Sequence, residues 1–115
     1  MLHLSAVVHY YLYAQATDMR KGFDSLCGIV KAQMSLDALS GAIFIFINKK
    51  RNQVKLLLWE GDGLSLYYKR LERGTYEIPA TDGVATTLDY QQLQFILQGV
   101  SLKKIQCRKR YQKIT

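Results

Sequence analysis

The stretch from residue 41 to residue 71, GAIFIFINKKRNQVKLLLWEGDGLSLYYKRL, constrains this chain more than any other. Runs at 42–48, 54–60 and 64–69 are rich in aliphatic and aromatic residues, and each is of strand length. β-Branched and aromatic side chains favour a pleated, half-buried backbone. Lys49-Lys50-Arg51-Asn52-Gln53 separates the first pair of runs and is too charged to be buried. Gly61-Asp62-Gly63 separates the second pair, and its Asp-Gly step suits the positive φ angles of a tight hairpin. The expected object is a three-stranded antiparallel meander with a basic tip on its first hairpin.

The three runs differ in their patterns. Residues 42–47 are apolar at every position, so this strand is expected to be central and covered on both faces. Val54, Leu56 and Leu58 alternate with Lys55, Leu57 and Trp59, and Leu64, Leu66 and Tyr68 alternate with Ser65, Tyr67 and Lys69. These two strands are more amphipathic.

Residues 4–14, LSAVVHYYLYA, read as a further strand, with Val8, Tyr10 and Leu12 on one face and His9, Tyr11 and Tyr13 on the other. Thr17 or Asp18 is expected to cap a helix carrying a stripe of Met19, Phe23, Leu26, Cys27, Val30 and Met34. Beyond the meander, residues 75–78 read as a short strand stopped by Pro79, and residues 80–87 as a polar loop. Thr87 or Asp89 is expected to cap a second helix with Leu93, Ile96, Leu97 and Val100 inward and Gly99 as its stop. The fold class is therefore α+β. An antiparallel sheet, built on the meander plus an N-terminal strand, is covered by an N-terminal helix and a short C-terminal helix. Residues 1–102 form a single domain, and residues 103–115 form a basic tail, partly disordered unless a partner holds it.

Charge narrows the partners. The net charge is +7, which favours an anionic surface such as nucleic acid, then an acidic protein. Cys27 and Cys107 are far apart and no His clusters with them, so neither a zinc site nor a disulfide framework is expected. Cys27 reads as core, His9 as a partly exposed strand residue. No signal-peptide pattern opens the chain and no apolar run approaches a membrane span, which fits a soluble cytoplasmic protein with no membrane partner.

Catalytic patterns are missing. No Asp or Glu has Lys two positions on, and P-loop, GxSxG and HExxH motifs are absent. Turn and cap duty accounts for the carboxylates. No cofactor and no metal site are expected, and the protein reads as a non-enzyme. Basic residues beside aromatics are the stronger feature: Lys49, Lys50, Arg51 and Lys55 at one hairpin, and Lys69, Arg70 and Arg73 near Tyr67 and Tyr68. Such side chains neutralise phosphates, and a two-stranded ribbon can enter a DNA major groove. The plain alternative is a solvated hairpin tip.

Three stretches carry a resemblance: Thr17-Asp18-Met19-Arg20-Lys21-Gly22-Phe23-Asp24; residues 41–48; and Trp59-Glu60-Gly61-Asp62-Gly63-Leu64 followed by Tyr68-Lys69-Arg70-Leu71-Glu72-Arg73-Gly74. Together, from about Val8 to Gly99, they resemble the TnpB accessory-protein family, the second reading frame of the insertion sequences numbered sixty-six. Leu58 and Glu60 depart from the family's usual aromatic and Asp, and the tail after Leu102 matches no family motif. The resemblance implies a protein required for transposition alongside a separate DDE-type transposase, not the strand-transfer enzyme itself. It is unrelated to the far longer RNA-guided nuclease of the same name. The motif residues that carry over are Asp18, Arg20, Lys21, Gly22, Gly61, Asp62, Gly63, Lys69 and Arg70, with no catalytic role.

The leading expectation is an accessory factor that binds DNA at the element's ends through Arg20, Lys21, Lys49, Lys50, Arg51, Lys69 and Arg70. Arg20 and Lys21 are expected in the first turn of the first helix, where a bound phosphate would offset their conflict with the helix dipole; a salt bridge to Asp24 is the alternative. The second expectation is an adaptor for the transposase without DNA contact, using a face around Tyr11, Tyr13, Tyr67 and Tyr68. A third is metal-dependent DNA cleavage through Asp18, Asp24 and Asp62.

Overall fold

A strand that is apolar on both faces must be covered twice, and this requirement organises the molecule. The computed structural model describes residues 8–80 and 83–98. Expectations for residues 4–7, Asp82, Gly99, Val100, Cys107 and the 103–115 tail lie outside the described residues. In chain order the elements are β1 (Tyr10–Tyr13), α1 (Phe23–Ala32), β2 (Ile43–Ile47), β3 (Gln53–Trp59), β4 (Leu64–Arg70), β5 (Ala85–Leu88) and α2 (Tyr90–Gln98). They form an α+β fold around a five-stranded sheet of order β4-β3-β2-β1-β5.

The sheet is mixed, not antiparallel throughout. β2–β3 and β3–β4 make the expected meander, but β1 runs parallel to β2, with Tyr10 opposite Ile43 and Leu12 opposite Ile45. Parallel neighbours need a long crossover, and the segment containing α1 supplies it. β5 pairs antiparallel with β1 on its other side, Thr86 opposite Leu12 and Thr87 opposite Tyr11. Residues 85–87, expected as loop, thus belong to an edge strand that ends at Leu88, whereas residues 75–78 make no strand. The β-branched Thr86 and Thr87 suit the pairing, but four residues are too few to display a period.

Every residue of β2 is buried. Ile43, Ile45 and Ile47 join Tyr10, Leu12, Val54, Leu56 and Leu58 in a core closed by Leu93 and Ile96 of α2 and by Tyr76. Phe44, Phe46 and Leu57 face the other way, into a core closed by Leu26, Val30 and Met34. Burying a side chain of this size contributes roughly 1.5–3 kcal/mol, so each helix is held by the face it covers.

α1 begins later than its apolar stripe implies. Gly22 is its N-cap and makes no side-chain cap bond, and Phe23 is 45% exposed. Asp18 instead closes a separate turn ahead of the helix: its Oδ1 accepts the Arg20 N–H at 2.9 Å and its carbonyl accepts the Lys21 N–H at 3.1 Å. An Asp side chain serves such a turn as readily as a helix cap. α2 does begin at a capping box: Asp89 Oδ1 accepts the Gln92 N–H at 2.7 Å, and Gln92 Oε1 accepts the Asp89 N–H at 2.9 Å. Among the described residues no helix is long and apolar enough to cross a membrane.

The β3–β4 turn uses a different glycine from the one its Asp-Gly step implies. Glu60 N–H donates to Gly63 O at 2.9 Å, so Gly61 and Asp62 are the central pair, and positive φ falls on Gly61 at 97°. Glycine first with φ positive is the type II′ pattern, whose twist matches the flanking strands. An L side chain at Gly61 is strained, whereas a methyl at Gly63 meets nothing within 4 Å and carries no positive φ. In urea unfolding, Gly61→Ala is expected to lower stability by about 1 kcal/mol or more, and Gly63→Ala to leave it unchanged or slightly raised. Equal losses in both variants would contradict this turn assignment.

Candidate nucleic-acid interface

The sheet topology determines which loops meet. Because β1 and β2 are parallel, the loop leaving β1 and the β2–β3 hairpin emerge at the same end of the sheet. β4 finishes there too, since Arg70 pairs with Gln53 and Lys69 with Val54. Arg20 and Lys21 on the first loop, Lys49, Lys50 and Arg51 on the hairpin, and Lys69 and Arg70 at the end of β4 therefore share one end. The opposite end carries Glu60 and Asp62 in the β3–β4 turn, Asp37 ahead of β2, and Asp89 after β5. The sheet is electrically polarised along its strands.

The hairpin tip is built by Asn48. Its Oδ1 accepts the N–H groups of Asn52 at 3.0 Å and Gln53 at 2.9 Å, and its Nδ2 donates to Asn52 Oδ1 at 2.8 Å. Arg51 takes the left-handed conformation, φ 59°, which residues other than glycine adopt sparsely. The segment after β4 braces it: Tyr76 N–H donates to Arg51 O at 2.6 Å and Leu71 N–H to Asn52 O at 2.7 Å. Lys49, Lys50 and Arg51 are exposed on this fixed frame.

The loop after β1 is fastened just as firmly. Ala14 N–H donates to Val84 O at 2.7 Å and Thr17 N–H to Ile47 O at 2.9 Å. Lys55, which reads in sequence as one of the tip cations, is buried, with 7% of its surface exposed. Its Nζ donates to Lys21 O at 2.8 Å and lies 4.7 Å from the centre of the Tyr68 ring, a cation–π contact. Tyr68 Oη in turn donates to Gln53 Oε1. Lys55 thus holds the loop against the sheet.

Between loop and hairpin lies an open groove of about 640 Å³, lined among others by Asp18, Arg20, Asn48, Lys49, Lys50, Gln53 and Tyr68. Arg20, expected in a helix, stands on this rim, and its partner is Asp18, not Asp24. The guanidinium grips the carboxylate at 2.7–3.1 Å with both groups open to solvent. The helix-terminus site expected for Arg20 and Lys21 is not formed, because both residues precede α1. Arg70 approaches Glu72 at 3.6 Å. Among the described residues no carboxylate lies within ion-pair distance of Lys49, Lys50, Arg51 or Lys69.

The four tyrosines expected to form one face do not share one. Tyr11 stacks on Phe44 and Tyr13 packs on Phe46, on the α1 face. Tyr68 is on that face but across β2 and β3, and Tyr67, its neighbour in β4, points to the opposite one. The three carboxylates are also dispersed: Asp18 and Asp24 flank the start of α1, and Asp62 is at the far end of the sheet. Among the described residues no three of His, Cys, Asp and Glu come together at metal-binding range. Burial, followed by the charge of Asp24, pushes the Cys27 thiol above its ordinary range, which lowers its thiolate fraction.

The side-chain hydrogen bond from Arg20 is the main cause that lowers the Asp18 carboxyl from 3.8 to about 2. A depressed carboxylate contributes to stability above its ordinary pKa and loses that contribution as pH falls through its folded value. An NMR titration is expected to find the Asp18 midpoint near 2 and to move it upward, towards 3.8, in Arg20→Ala. An unmoved midpoint would mean that Arg20 is not the cause.

Comparison with known proteins assigns the chain. A family model described as IS66 Orf2 like protein matches residues 8–107, running past Gly99, where the motif resemblance stops. A Sinorhizobium fredii protein named uncharacterized protein y4hO is 33% identical over 100 residues, covering 87% of each chain. A second from the same organism, uncharacterized protein y4jC, is 25% identical over 91 residues, covering 79% of this chain and 78% of its own. No solved structure matches. With the match extending over most of its length, the chain belongs to the IS66 Orf2-like family of insertion-sequence transposition proteins.

Proposed function

We propose that the protein is a non-catalytic, DNA-binding accessory factor in the transposition of an insertion sequence. It works in the cytoplasm beside a separate transposase, and its DNA target is the element's ends. The observation that carries this reading is the gathering of Arg20, Lys21, Lys49, Lys50, Arg51, Lys69 and Arg70 at one end of the sheet. Cations so placed release counterions from a phosphate backbone, and this term is independent of sequence. Lys49 and Lys50, free of carboxylates among the described residues, are the principal contacts. Arg20 contributes only where a phosphate displaces Asp18, and Tyr68 at the groove's edge offers a ring for packing or stacking against a base.

The test is a gel-shift titration on duplex DNA across a salt series. Affinity is expected to fall steeply with salt, and Lys49→Ala with Lys50→Ala is expected to lower the log–log slope by about 1–2. Asp18→Asn, which releases Arg20, is expected to act in the opposite sense and strengthen binding at low salt. If the protein fails to bind at low salt, alone and with transposase, the DNA reading falls. Co-purification with transposase from nuclease-treated lysate would then favour an adaptor.

A further inference from the structure

β4 is the outermost strand on its side of the sheet, and the ladder with β3 determines which of its backbone groups are already used. Glu60 N–H donates to Gly63 O and Leu71 N–H to Asn52 O. Antiparallel pairs alternate between hydrogen-bonded and non-hydrogen-bonded, so Ser65, Tyr67 and Lys69 bond inward to Leu58, Leu56 and Val54. The N–H and C=O groups of Leu64, Leu66, Tyr68 and Arg70 therefore point outward. Among the described residues no strand pairs with that side. An exposed edge of seven residues is a template for another strand.

We infer that this edge is an interface between two copies of the chain, joined antiparallel through β4 about a two-fold axis at Tyr67. Three observations select this occupant and this register. First, several registers set outward-facing groups against outward-facing groups, but only the one with Leu66 opposite Tyr68 of the second copy and Leu64 opposite Arg70 satisfies all four residues reciprocally within β4. Second, it sets Lys69 against Ser65 and Tyr67 against itself, so no like charges are opposed within the strand. Third, the charge polarity of the sheet is self-complementary in this orientation. Lys69, Arg70 and Arg73 of one copy come beside the Glu60 and Asp62 turn of the other and outnumber Glu72, the one acid among them, which Arg70 already approaches, whereas parallel docking would set like against like. A two-fold contact of this kind is closed, so assembly stops at the dimer. The dimer turns the two basic ends in opposite directions.

The experiment is sedimentation equilibrium of the full chain without DNA, so failure of the DNA reading leaves it intact. The wild type is expected at twice its 13.2 kDa mass, and Tyr67→Lys, which sets two cations against each other on the axis, is expected at the single mass. Cross-linking checks the register. Directly opposed residues have Cβ atoms about 4.5–5.5 Å apart, near disulfide distance. Tyr67→Cys should therefore link to itself under mild oxidation above the background of the wild-type chain, which keeps Cys27 and Cys107. Lys69→Cys should not, because its two copies lie four strand positions apart, roughly 14 Å. A monomeric wild type would overturn the inference, including the case in which residues outside 8–98 cover the edge. So would a dimer that survives Tyr67→Lys, or one that Lys69→Cys links as well as Tyr67→Cys. Circular dichroism of each variant separates lost assembly from lost folding.

Discussion

The parallel pairing of β1 with β2 is the constraint on which the rest of the structure depends. It places a wholly apolar strand at the middle of the sheet and obliges the connection to cross one face, carrying α1 with it. The opposite face is left for α2 and Tyr76. The same pairing sends the chain out of β1 and β2 at one end. Had β1 been antiparallel to β2, Arg20 and Lys21 would lie at the end occupied by Glu60 and Asp62. The basic end is thus a product of topology, assembled from segments that are distant in sequence.

What could be read from residues alone was what shows over several positions. The unbroken apolar run at 42–47 announced a strand buried on both faces, and the alternation at 10–13 put Tyr10 and Leu12 on one face, which the structure buries. A polar cap ahead of α2 was legible as Thr87 or Asp89, and the reciprocal bonds with Gln92 select Asp89. Signals of one or two residues were less decisive. Asp18 could serve a turn or a helix, and the choice was made by the clasp on Arg20. The direction of β1 relative to β2 has no local signature at all, and β5 is too short to show one.

The candidate interface divides in the same way. Lys49, Lys50 and Arg51 are neighbours in the chain, so their cluster was visible directly. That Arg20 would share a groove with Lys49 and Lys50 required the register of three strands and a fastened loop. Lys55 was read as a tip cation because its charge was visible and its burial was not. Its aliphatic stem lies in the sheet while its amine finds Lys21 O and the Tyr68 ring. A buried lysine satisfied in this way is a structural fastener.

The bracing of the hairpin tip has a consequence for how the protein meets a ligand. Asn48 ties the backbone of the turn together, and Tyr76 and Leu71 hold its carbonyls from outside. Little main-chain freedom is left to lose on association, so the entropy of ordering falls almost entirely on the long side chains of Lys49 and Lys50. Their roots are stationary and their tips can swing. A surface of that kind behaves as a fixed post with adjustable ends: strict about where along the molecule an anion is met, and tolerant of the spacing between one anion and the next.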